Sequence, residues 1–132
     1  MSNPIRIFDI QYSNEDRLKI HSYLDQILDE AYLSNHSFCR RLEKELEKRY
    51  LRHKFVSCSS GTSALETIFR FLKVKNKAVI TQANTFIATG HAIHSAGGII
   101  VPFDLNKEYV ASYEDIKLAY NETISTGLEV AC

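Results

Sequence analysis

Two short loops in this 132-residue chain carry residue types that grip small ligands. The first is Ser59-Ser60-Gly61-Thr62-Ser63, between an apolar run from Phe55 to Cys58 and a helical pattern that starts at Thr62. The opening N–H groups of a helix have no intrahelical partner, and the helix dipole adds about half a positive charge there, so an anion is favoured. Gly61 permits close backbone approach, and the Thr62 and Ser63 hydroxyls add donors. Each charge-assisted bond contributes roughly 1.5 to 3 kcal/mol, so two or three anchor a phosphate dianion. The same residue types are also ordinary N-caps, preferred at helix starts with no ligand present. The segment is neither a P-loop, since no lysine follows a second glycine, nor a dinucleotide fingerprint, since it holds a single glycine.

The second loop, Gln82-Ala83-Asn84-Thr85-Phe86, follows the next apolar run. An aromatic ring here can lie flat on a planar ligand, although core packing accounts for most phenylalanines. Loops at the carboxyl ends of parallel strands share one edge of a sheet, so both loops together offer a phosphate clamp and a ring platform. That pairing points to a flat phosphorylated ligand. Other candidates have simpler readings. His91 and His94 lack a third ligand at helical spacing, and no metal site is expected. Cys58 reads as a buried structural thiol, and Asp104 equally as a carboxylate on the ligand edge or as a turn former.

The elements that must position these loops follow from periodicity. Ser13 and Asp16 form a capping box ahead of an apolar stripe, Ile20, Tyr23, Leu24, Ile27, Leu28 and Ala31. Phe38, Leu42 and Leu46 mark a second helix to about Tyr50, whose RRLEKELEKR run is a solvated face with Glu45 and Arg49 spaced for an ion pair. Strands are expected at Phe55 to Cys58, Ala78 to Thr81 and Ile99 to Phe103. Helices are expected at Thr62 to Leu72, at Thr85 to Ala96 closed by Gly97 and Gly98, and from Ser112 to about Tyr120. This order predicts an α/β fold with a parallel sheet, divided into a helical segment, residues 1–54, and a βαβαβα segment, residues 55–132. Three strands make a thin sheet, and Glu122 to Cys132 show no clear closing element, so an incomplete domain is expected.

Composition narrows the function classes. Sixteen basic and sixteen acidic side chains cancel, which argues against a nucleic-acid surface. No run approaches the roughly 18 apolar residues of a membrane span, and Met1 to Gln11 lacks a signal-peptide pattern, so no membrane partner and a cytoplasmic location are expected. Three widely spaced cysteines, Cys39, Cys58 and Cys132, suit a reducing compartment.

The ordered set SSGTSAL (Ser59 to Leu65), VITQANTFIAT (Val79 to Thr89), AGG (Ala96 to Gly98) and Asp104 resembles the DegT/DnrJ/EryC1/StrS family of pyridoxal-phosphate-dependent sugar aminotransferases. FCRRLEKELEKRY (Phe38 to Tyr50) is similar to the family's helix ahead of its SGT turn. The resemblance covers roughly Asp25 to Tyr120. Two departures, Lys75-Asn76-Lys77 in place of the family's GDE and a displaced Pro102, leave the site residues untouched. The resemblance implies part of the large domain of an aspartate-aminotransferase-type fold (fold type I), with flanking helices and an amino-terminal helical segment. It implies pyridoxal 5'-phosphate held by Gly61, Thr62 and Ser63, with Phe86 stacked on its ring. It further implies a nucleotide-linked keto-sugar substrate in polysaccharide or amino-sugar biosynthesis, glutamate as amino donor, and a homodimer.

The family's cofactor-linked lysine and its pyridine-binding aspartate come from segments with no counterpart here. None of the nine lysines lies in a matching motif, so no catalytic residue is assigned, and binding without turnover is expected of this chain alone. The competing expectations are a non-enzymatic α/β module that binds a phosphorylated ligand at Gly61-Thr62-Ser63, and a remnant without a stable fold.

Overall fold

The computed structural model describes residues 8–51 and 53–132, so the sequence reading of Met1 to Gln11 lies partly outside it. The chain divides into two compact units, Met1–Ser57 and Cys58–Cys132. In the first, helix α1 (Asn14–Glu30) is started by the expected capping box. Ser13 Oγ accepts from the Asp16 N–H at 3.1 Å, and the Asp16 carboxylate accepts from the Ser13 N–H at 3.2 Å. Ala31, at φ 54, ends the helix in the left-handed region. Helix α2 (Ser37–Arg49) follows a corner held by the Glu30 carboxylate. That carboxylate accepts from Ser37 Oγ at 2.8 Å and lies 3.1 Å from His36 Nδ1. The Tyr23 and Phe38 rings meet at 5.3 Å, with the Arg41 guanidinium within 5.2 Å of both ring centres. Glu45 pairs with Lys48 at 2.6 Å, one helical step short of the expected Arg49. Both partners neighbour Glu45 on a helix surface, and exposed pairs of either spacing contribute little.

Phe55 to Cys58, expected as a strand, adopt no regular secondary structure. Ser57 turns its donors to a side chain instead. Ser57 gives its N–H to the Glu43 carboxylate at 2.7 Å and its hydroxyl to the same oxygen at 2.8 Å. A charge-assisted bond of this kind is stronger than a neutral ladder bond, and it holds the Glu43 carboxyl below its usual range, the Ser57 backbone bond being the largest cause.

The second unit contains helix α3 (Gly61–Phe71), strand β1 (Ala78–Gln82), helix α4 (Ile87–Ser95), strand β2 (Ile99–Phe103) and helix α5 (Tyr113–Ser125). β1 and β2 pair in parallel, Ala78 opposite Ile99 through Gln82 opposite Phe103. The closing segment, expected to be irregular, supplies a further neighbour on the other side of β1. Ala78 donates to the Glu129 carbonyl at 2.8 Å, Ile80 to the Cys132 carbonyl at 2.9 Å, and Ala131 to the Ala78 carbonyl at 2.9 Å. Ala78 and Val130 form a parallel bridge. β1 is therefore central, and its first residues Ala78 and Val79 are buried.

Side chains alternate across the sheet. Val79 joins Phe69, Val74, Ala92, Ile93 and Ala96 in the apolar core formed with α3 and α4. Ile80, Val101 and Phe103 face residues of α5 in two open grooves of about 540 and 560 Å³. The two glycines after α4 serve different ends. Gly97 takes φ 79, a left-handed turn. Gly98 is packed so closely that a Cβ would lie 2.9 Å from Ile93 Cγ2 and 3.0 Å from Val74 Cγ2. α5 begins with the expected Ser112–Asp115 capping box and runs a full turn past Tyr120.

Candidate functional site

α3 is capped by Ser60, whose side chain accepts from the Ser63 N–H at 3.1 Å, while the Ala64 N–H reaches the Ser60 carbonyl. The Ala64 bond is the first of the helical ladder, and the cap takes one further opening donor, that of Ser63. Ser63 Oγ lies 3.1 Å from both Ser59 Oγ and Ser60 Oγ, so its hydroxyl is engaged as well. The N–H groups of Gly61 and Thr62 and the Thr62 hydroxyl have no partner among the described residues. An added Cβ at Gly61 would meet nothing within 4 Å. The start of α3 therefore presents spare donors beside open space, the chemistry an oxyanion requires. Ser60 and Ser63 carry the capping contacts, and the Gly61 and Thr62 donors are left over.

The second loop leads from β1 into α4. Phe86 is the N-cap of α4, at φ −68 and ψ 144, and its side chain makes no cap hydrogen bond. Phe86 is 78% exposed and packs in no core among the described residues. Thr85 and Thr89, flanking it, bring their hydroxyls to 2.9 Å.

Chain direction decides whether the loops meet at one edge. α3 runs into β1 and α4 into β2 through short connections, and the starts of the two parallel strands are in register. The carboxyl ends of the helices are tied together by Arg70 of α3, whose guanidinium donates to the Ser95 carbonyl at 2.8 Å and grips Glu66 at 2.7 Å. Both helices therefore run against the strands, and both amino ends lie at the carboxyl end of the sheet. Gly61-Thr62-Ser63 and Phe86 share that edge, where open α/β sheets bind ligands.

Two open grooves run along α5, the second reaching Gln82 and Thr85, and neither is lined by Gly61, Thr62, Ser63 or Phe86. Volume alone binds no anion. Lys and Arg do not line those grooves, and Asp104, Asp115 and Glu122 line the first, an arrangement that repels phosphate. His91 and His94 are both exposed on α4. Cys39, Cys58 and Cys132 form no disulfide.

The sequence does not single out Ser60 as the cap, because Ser59, Ser60 and Thr62 are all residue types that cap. Sequence reasoning also passed over Thr85 and Thr89, whose i, i+4 spacing across a helix start is the signal for a side-chain bridge.

The profile of the DegT/DnrJ/EryC1/StrS aminotransferase family matches residues 14–125. Among solved structures, NtdA from Bacillus subtilis, crystallised with bound cofactor PMP, is 21% identical with a TM-score of 0.62. The match covers 89% of this chain and 33% of that one. Kynurenine aminotransferase from Pyrococcus horikoshii, in complex with PMP, KYN and KYA, is 23% identical with a TM-score of 0.61, over 86% of this chain and 31% of that one. The chain thus spans about a third of the length of these proteins and shares their fold. No curated protein matches it.

Proposed function

Because the chain belongs to the DegT/DnrJ/EryC1/StrS aminotransferase family, we propose that it is the cofactor-phosphate side of a pyridoxal-phosphate-dependent aminotransferase acting on nucleotide-linked keto-sugars. The observation that carries this reading is the pair of unclaimed N–H groups at Gly61 and Thr62, on the same sheet edge as the exposed ring of Phe86. Gly61 and Thr62 receive the phosphate through backbone donors, and the Thr62 hydroxyl adds a third bond. Ser63 acts through the hydroxyl it shares with Ser59 and Ser60, which fixes the shape of the turn and leaves one oxygen able to reorient. Phe86 supports the pyridine ring from one side. These donors fit the group, since the phosphate demands several N–H or O–H donors and little else.

When bound, the cofactor supplies an electron sink for moving an amino group between carbon centres. The chain's own residues hold and orient it. Turnover is not expected of these residues alone, because no lysine stands in a motif matching the family's cofactor-linked lysine. The keto-sugar substrate, glutamate as donor, a homodimeric complete enzyme and a cytoplasmic setting belong to the same proposal. Among the described residues no helix is long and apolar enough to cross a membrane.

Titrating the chain with pyridoxal phosphate and following absorbance near the visible edge tests the assignment. Thr62→Ala and Phe86→Ala are each expected to weaken binding about tenfold. Binding untouched by both substitutions refutes the cofactor site. Loss with Thr62→Ala alone, and equal loss for inorganic phosphate, favours a non-enzymatic module for phosphorylated ligands.

A further inference from the structure

Phe86 raises a physical question, because a phenyl ring gains free energy by leaving water and this one is 78% exposed. It also occupies the N-cap of α4, where it has no atom able to cap. Two threonines bracket it instead. Thr85 Oγ1 and Thr89 Oγ1 are 2.9 Å apart, and both residues are half-buried. The Thr85 N–H reaches the Gln82 carbonyl at 3.3 Å, and the Thr89 N–H reaches the Phe86 carbonyl at 2.9 Å. One hydroxyl bridge and two backbone bonds therefore straddle Phe86, fixing the backbone of the residue without touching its ring.

We propose that Thr85 and Thr89 are positioning residues for Phe86, their hydroxyl bridge closing the first turn of α4 across that residue and holding the ring out at the ligand edge. The ligand side of this inference rests on Phe86 as the ring platform of the proposed site. The mechanical side does not. Without the bridge the first turn of α4 frays, the ring samples other rotamers, and a planar ligand must order it on binding. A hydroxyl–hydroxyl bond of ordinary strength then corresponds to about a fivefold loss of affinity.

The chain contains no tryptophan, so Phe86→Trp places a single indole at this position in the full chain. Thr85→Val, Thr89→Val and the double substitution are added to it, valine keeping the shape and removing the hydroxyl. With no ligand present, time-resolved fluorescence anisotropy reads local ring motion. The parent is expected to show slow motion only, each valine variant a new fast component, and the double variant no more than either single one, since one bond is lost in every case. Thr85→Ser, which keeps the hydroxyl, is expected to retain the slow motion and guards against a valine variant that fails to fold. Unchanged anisotropy in both valine variants with helix content intact overturns the proposal, as does additive loss in the double variant.

Pyridoxamine phosphate then serves as the planar probe. It is expected to quench the indole, with about fivefold weaker affinity in the valine variants and unchanged competition by inorganic phosphate. No quenching in Phe86→Trp alone counts against the ring platform, and the anisotropy result still decides the role of the threonine pair.

Discussion

Gly61 and Gly98 show how one residue type answers to two different demands. Gly61 faces open space and has no left-handed backbone, so Gly61→Ala is expected to leave stability within about 1 kcal/mol of the parent while weakening pyridoxal phosphate binding at least about tenfold, by denying one donor its close approach. Thermal unfolding and a cofactor titration on the same preparation check both halves. Gly98 is the reverse case, with Ile93 Cγ2 at 2.9 Å and Val74 Cγ2 at 3.0 Å from where a Cβ would stand. Both neighbours are fully buried and cannot give way cheaply, so Gly98→Ala is expected to cost about 1 to 3 kcal/mol, read as a lowered urea midpoint. In the sequence these glycines look alike; one is bounded by packing and the other by an expected ligand. The Thr62 and Ser63 hydroxyls were equally legible as candidates from their place in the loop. That the Ser63 N–H is taken by Ser60 was not, because a cap depends on backbone angles a residue string does not display.

Helix ends are where the elements respond to pH. The Asp16 and Asp115 carboxyls are held below their usual range by the side-chain bonds from Ser13 and Ser112, then by the backbone bonds of the same residues. Glu30 is lowered first by Ser37 and then by His36. A group lowered in the folded state binds fewer protons there than in the unfolded chain, so its contribution is present above the unfolded value and lost as pH falls through the folded one. Urea unfolding is therefore expected to show stability declining from about pH 4 downward, and Ser112→Ala is expected to reduce the part of that decline due to Asp115. A flat profile from neutral pH through that range contradicts the account. These caps were readable from spacing alone, because Ser13 with Asp16 and Ser112 with Asp115 interact within four residues. The fate of Phe55 to Cys58, expected as a strand, was not decided within such a window: the Ser57 donors go to Glu43, fourteen positions earlier.

Across the whole molecule, burial is uneven. The core gathers around Phe69, Val74, Val79, Ala92, Ile93 and Ala96 in the second unit, whereas α1 and α2 bury no residue. Leu18, Ile20, Leu24 and Leu28 of α1 are all exposed, more apolar helix surface than a monomer usually leaves in water. Sedimentation of the purified chain is expected to give a mass above 15.1 kDa, and a monomer at micromolar concentration would contradict this. The sequence by itself determined the helices, the capping boxes of α1 and α5, the alternation from α3 to α5 and the motif set, because each rests on contacts among residues a few positions apart. Tertiary structure alone decided that Glu129 to Cys132 run beside β1, that two helix starts share one edge, and which donors of the α3 turn remain unclaimed. Those outcomes depend on pairing between distant segments and on competition for the same hydrogen-bonding groups, which only the folded chain resolves.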